Sequence, residues 1–109
     1  MLCRFCLMLL LAAPLAGQPA RPPIVGIAHF ALKTSDLTAA RAFYGCDLGF
    51  AELFTMNNRQ DGVFFALFKV NDHQYIEVRP ELKDAAEDRR SHLAFETTDA
   101  RQLRAYLAS

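Results

Sequence analysis

A chain of 109 residues has room for one small domain, and its 12 basic and 12 acidic residues cancel to a formal net charge of zero. Because the two signs are interspersed and no basic stripe forms, electrostatic capture of nucleic acid is not indicated.

Residues 1–17 carry Arg4 as their only charge, then the apolar run CLMLLLAAPLAG, then small residues, which is the pattern of a secretory signal peptide. The run is shorter than the ~20 residues that cross a bilayer, so no membrane attachment is expected after cleavage. Gln18 stands where a lipoprotein signal would need cysteine. The expected mature protein is exported, periplasmic or secreted, and residues 18–23 (QPARPP) form a proline-rich lead-in without regular structure. Cys3 and Cys6 fall in the leader, which leaves Cys46 alone and no disulfide within one chain. Cys46 itself reads as a small buried hydrophobe.

Ile24–Lys33 is short, apolar and β-branched at its start, and it reads as a strand. Alternation places Ile24, Ala28, Phe30 and Leu32 on one face and Val25, Ile27, His29 and Ala31 on the other. Leu37, Ala40, Phe43, Tyr44 and Leu48 follow helical spacing, with Ser35 or Asp36 as N-cap and Gly45 and Gly49 ending the helix. Strands follow at Phe50–Met56 and Val63–Val70. Asn71 and Asp72 then turn the chain into a further strand, Gln74–Arg79. A two-residue turn sets Phe68 opposite Tyr75 and Ala66 opposite Glu77, leaving space beside the carboxylate. A charged linker, residues 81–90, leads to a last strand, Ser91–Thr97, and a helix capped by Asp99.

The last two elements repeat the first two. HFALKTSDLTAARAFY from His29 to Tyr44 returns as HLAFETTDARQLRAYL from His92 to Leu107 at a constant offset of 63, matching His29 with His92, Ala31 with Ala94 and Asp36 with Asp99. One supersecondary unit is therefore used twice. The order β, α, β, β, β, then β, α stops three strands short of a second full unit, so the second module is expected to be incomplete. The modules divide the chain at residues 24–80 and 91–109.

His29, Glu77 and His92 are the candidate metal ligands. Each lies within a strand, and a pseudo-twofold repeat brings the two histidines together. Imidazole with carboxylate suits divalent zinc, nickel, iron or manganese. Phe68 and Tyr75 are candidates for lining a substrate pocket. His73 reads as an exposed turn residue and Arg79 as a surface salt-bridge partner.

The runs GIAHFALKTSDLTAARAFYGCDLGF, QYIEV and SHLAFETTD resemble the vicinal oxygen chelate superfamily, which includes glyoxalase I, bleomycin-resistance proteins and extradiol dioxygenases. The resemblance covers residues 24–109 and implies an α+β fold: a βαβββ module plus the first strand and helix of a second, curled around a divalent metal. Glyoxalase-like ligand positions fall on His29, Glu77 and His92, and the second glutamate would lie beyond Ser109. Implied further are metal-dependent chemistry on a small molecule with adjacent oxygens, as in a lactoylglutathione lyase, an isomerase or a dioxygenase, and a catalytic proton-transfer role for Glu77 or, equally, for the second glutamate. The alternative is a non-catalytic small-molecule binding module of the bleomycin-resistance kind. A homodimer is one way to complete the cup, and without completion the chain is expected to be inactive.

Overall fold

The computed structural model describes residues 17–60 and 62–109, so the leader reading falls almost wholly outside the described residues. The elements are β1 (Ile24–Lys33), α1 (Leu37–Arg41), a π-helical turn (Ala42–Asp47), β2 (Ala51–Asn57), β3 (Val63–Lys69), β4 (Tyr75–Arg79), β5 (Arg90–Thr97) and α2 (Ala100–Leu107). They form one five-stranded sheet in the order β2-β3-β4-β1-β5. This is the α+β arrangement expected of one βαβββ module joined to the strand and helix of a second. Among the described residues no helix is long and apolar enough to cross a membrane.

β1 is the hinge of the sheet. One edge pairs parallel with β4, and the other pairs antiparallel with β5. Parallel pairing requires a long crossover between β1 and β4, and the helical segment with the β2–β3 hairpin supplies it. Asp36 starts α1 by accepting a hydrogen bond from Ala39 N at 2.9 Å, and Asp99 does the same for α2 from Gln102 N.

One sheet face is closed by the helical crossover. Ala66, Phe68 and Val78 form its buried core, with Leu37, Ala40, Tyr44, Phe50 and Ile76 packed against them. The Tyr44 and Phe68 rings lie 5.4 Å apart. Burial of Tyr44 pushes its phenol pKa upward.

Three expectations need correction. The first helix does not run regularly to Leu48: after Arg41 it widens to π spacing, with Leu48 N donating to Phe43 O and Gly49 at φ +72° ending the segment. Cys46 therefore faces solvent instead of the core. The lead-in is irregular, as expected. It has no helix or strand, yet Thr97 Oγ1 donates to Pro23 O, Gln102 Nε2 donates to Ala20 O, and Pro22 is buried.

The third correction concerns the β3–β4 hairpin, whose register lies one residue from the expected one. Leu67 faces Glu77, Phe68 faces Ile76 and Lys69 faces Tyr75. Asn71 is the cause: its Oδ1 accepts from His73 N and its Nδ2 donates to Gln74 Oε1, while Val70 N and Asn71 N both donate to Gln74 O. The loop is thereby longer than two residues. A slip of one residue changes which side chains share a face. Phe68, at 1% exposure, belongs to the helix-covered core and does not line a pocket on the face of Glu77.

Candidate metal centre

The uncovered face of the sheet carries the candidate ligands in adjoining rows. Glu77, Ala31 and His92 share one row across β4, β1 and β5, with Glu77 paired to Ala31 and Ala31 paired to His92. His29 stands two residues before Ala31 on the same face of β1, in the row of Tyr75 and Ala94. The residue at the centre of this group is Ala31, which is fully buried. Its methyl group leaves room for the three longer side chains to converge. The small neighbour of Glu77 is thus Ala31 on β1, not Ala66 on β3.

His29 Nε2 lies 2.9 Å from His92 Nε2 and 3.5 Å from Glu77 Oε2, and His92 Nε2 lies 4.0 Å from the same oxygen. These three separations leave a point about 2 Å from all three atoms, which matches the ~2.0–2.2 Å bonds that a divalent ion such as zinc makes to imidazole nitrogen and carboxylate oxygen. The donor set is also of the right chemistry, two neutral imidazoles and one carboxylate. Glu77 is buried while the His92 side chain is 44% exposed, so the group opens to solvent on the histidine side.

Outer contacts orient the donors. Arg79 Nη1 donates to Glu77 Oε1 at 2.8 Å, leaving Oε2 for the histidines, and its Nε donates to Glu81 Oε1 at 2.9 Å. The guanidinium also stacks 4.2 Å over the Phe64 ring. Burial works against the Arg79 cation, but the bonds to Glu77 and Glu81 outweigh it and hold its pKa above the ordinary value. Ser91 Oγ lies 3.2 Å from His92 Nδ1, a contact suited to holding the ring with Nε2 toward the other ligands.

The three expected ligands thus come together, and Tyr75 lies in the row beside His29. His73 is exposed and sits 3.6 Å from Glu96, away from the ligands. Arg79 departs from expectation, because it is largely buried and bonded to the site instead of lying on the surface. The available signal was its spacing: two residues after Glu77 on one strand, it had to share that face.

The repeat is visible as local symmetry. In the β1–β5 ladder Phe30 faces Leu93, His29 faces Ala94 and Ala31 faces His92. Exchanging each residue for its repeat partner maps this set of pairs onto itself, so a local twofold axis passes through the Phe30–Leu93 pair. The axis carries His29 onto His92. It carries the position of Glu77, beside Ala31, to the open edge of β5 beside Ala94.

No protein-family model and no curated protein sequence matches the chain. Solved structures do. A variant of Streptomyces coelicolor methylmalonyl-CoA epimerase in complex with 2-nitronate-propionyl-CoA matches at TM-score 0.64 and 26% identity over 79% of this chain and 71% of that one. A methylmalonyl-CoA epimerase in complex with methylmalonyl-CoA and ammonium matches at the same TM-score and identity over 79% and 69%. These epimerases are members of the vicinal oxygen chelate superfamily. The chain shares their fold and is similar to that superfamily. The epimerase from Mycobacterium tuberculosis shares the fold at TM-score 0.59 and 22% identity, over 79% of this chain and 67% of that one. The candidate ligands His29 and His92 lie on the two strands that flank the local axis, and Glu77 lies on β4 beside β1.

Proposed function

We propose that the chain is a metal-dependent vicinal oxygen chelate protein that moves a proton beside a carbonyl of a small molecule with adjacent oxygens. The observation that carries this reading is the convergence of His29, Glu77 and His92 on one open-sided point. These residues would hold a divalent ion, zinc, nickel, iron or manganese. When bound it supplies Lewis-acid stabilisation of negative charge on the substrate's oxygens.

The chain's own residues supply the rest. The Arg79 bond fixes the Glu77 carboxylate and turns Oε2 toward the open side, where a substrate C–H would be presented. With Oε1 held by Arg79, Oε2 is the one oxygen left to Glu77, and during proton transfer it would take the proton as a general base and return it in place of holding the ion. Names of the structural neighbours favour this isomerase-type chemistry over the glyoxalase-type lyase and dioxygenase alternatives. The leader pattern supports action in an exported compartment.

One observation favours a second reading, a module that binds its ligand without turning it over. Among the described residues no carboxylate occupies the position beside Ala94 that the local twofold relates to Glu77. A homodimer that brings a carboxylate to this edge would complete a four-donor site. The test is deuterium exchange from heavy water into the acidic carbon of a malonyl-type thioester by the metal-loaded chain. Exchange lost on Glu77→Gln supports the isomerase. Full metal occupancy and tight ligand binding without exchange would replace it by the binding module.

A further inference from the structure

The strand order β2-β3-β4-β1-β5 leaves two edge strands, β2 and β5. β2 bulges at Leu53, and the Arg41 side chain lies across it, bonded to Glu52 and Thr55. β5 is regular from His92 to Thr97, because the residue it leaves unpaired against β1 is Ser91, and it contains neither lysine nor proline. An edge of this kind is a template for another strand.

The face above that edge is unfinished as well. In the first module Leu37, Ala40 and Tyr44 pack on Ala66 and Phe68 of β3 and Val78 of β4. The repeat offset turns these three into Ala100, Leu103 and Leu107, and there they line an open cavity of about 420 Å³ together with Phe95 and Thr97. Phe95 is 56% exposed and Leu107 73%. α2 thus holds the place of α1 over a sheet that, among the described residues, ends at β5.

We propose that a second copy of this chain fills that place, β5 pairing antiparallel with its counterpart about a twofold axis through Phe95, and that Glu96 of each copy becomes the fourth metal donor of the other. The inference rests on the reading of His29, Glu77 and His92 as a metal centre. An axis through Phe95 sets Ala94 of one copy opposite Glu96 of the other. Glu96, Ala94 and His92 alternate along the regular stretch and so share one face, and opposed residues of neighbouring strands share theirs. The carboxylate of the second copy therefore arrives beside Ala94, the position that the local twofold relates to Glu77. An axis through Ala94 would set that residue against itself and bring no carboxylate there. Glu96 is free to turn, since its partner within the chain is an exposed His73 at 3.6 Å, and exposed contacts of this kind hold little. On the other face the two α2 helices come to lie two strand spacings apart, ~10 Å, the distance of packed helices. Phe95 and Leu107 of both copies are then covered.

The test uses the full chain with Cys3→Ser, Cys6→Ser and Cys46→Ser as background. Light scattering should show a dimer. Phe95→Cys should cross-link to itself on mild oxidation, because opposed residues of an antiparallel pair lie within disulfide reach, and Ala94→Cys should not. Glu96→Gln should leave the dimer intact and lower zinc affinity at least tenfold, read by calorimetry with the ion alone. His92→Ala spoils its own site but can still lend Glu96, so mixing it with Glu96→Gln should restore tight zinc sites, about one for every four chains when copies pair at random. In a chain that binds zinc, a monomeric state, cross-linking through Ala94→Cys in place of Phe95→Cys, or an affinity untouched by Glu96→Gln overturns the proposal and leaves the three-residue centre standing. A dimer that cross-links through Phe95→Cys yet binds no zinc overturns the metal-centre reading, and the donor role of Glu96 with it.

Discussion

His29 Nε2 and His92 Nε2 face one another at 2.9 Å, although 63 residues separate them in the chain. The contact exists because β1 and β5 pair antiparallel about the Phe30–Leu93 pair, which places each histidine one row from the axis on the open face. Either histidine alone is an ordinary strand residue. Together with Glu77 they make a donor set. His29→Ala or His92→Ala is therefore expected to lower divalent-ion affinity by at least a hundredfold, read by titration calorimetry with the ion alone, whereas His73→Ala should leave it unchanged. Equal metal retention by all the variants would remove the ligand assignment.

The same affinity should respond to Arg79, which touches no other ligand. Arg79→Ala frees Glu77 Oε1 and leaves a buried carboxylate without its partner. Loss of such an outer partner costs about 10- to 100-fold in metal affinity. Arg79→Lys can keep the charge but not both the bond to Glu77 and the bond to Glu81, so it should recover only part of the loss.

Ala31 tests the geometry from beneath. It is fully buried and lies in the row between Glu77 and His92, so Ala31→Val adds volume where the ligands converge. Overpacking of this size costs about 1–3 kcal/mol. Metal affinity should fall along with thermal stability. Phe68→Ala, on the opposite face, should cost about 3–5 kcal/mol of stability by leaving a cavity against Tyr44 and Val78. Once folded, that variant should bind metal as the parent chain does. Denaturant titrations with and without the ion separate the two effects.

Acid stability should depend on two surface carboxylates. The Arg41 side chain, hydrogen bonding to Glu52 with help from Thr55, holds the Glu52 pKa below its ordinary 4.5. Arg90 holds Asp88 down at about 2. Carboxylates depressed on folding contribute stability above their unfolded pKa, and that contribution is lost as the pH falls through the folded value. Stability should accordingly decline below about pH 4.5 through Glu52 and below about pH 4 through Asp88. Glu52→Gln and Asp88→Asn should each flatten that decline in urea titrations across the acid range.

Much of the fold is legible in local chemistry. β1 starts and stops where its β-branched residues and the Thr34–Asp36 cluster say it should, and both aspartate caps act as their spacing implies. The hairpin register was not legible, because Asn71 bonds within its own loop and lengthens it, and such contacts depend on side-chain geometry that residue types do not specify. The misplaced register is what sent Phe68 to the wrong face. Arg79 was misread for a related reason. An arginine on a short strand is most often solvated, and only the bonds to Glu77 and Glu81 show that this one is committed to the site.

By itself the sequence determined the repeat, the strand positions of His29, Glu77 and His92, and hence the superfamily likeness, since these depend on residue identity and periodicity along the chain. Only the tertiary structure decided that the three side chains meet over Ala31, that Arg79 orients the carboxylate, and that among the described residues no strand pairs with the β4-side edge of β1 before His29. Those features come from the register between strands distant in sequence, and register is set by the sum of packing and loop hydrogen bonds over the whole sheet, which no single stretch of residues contains.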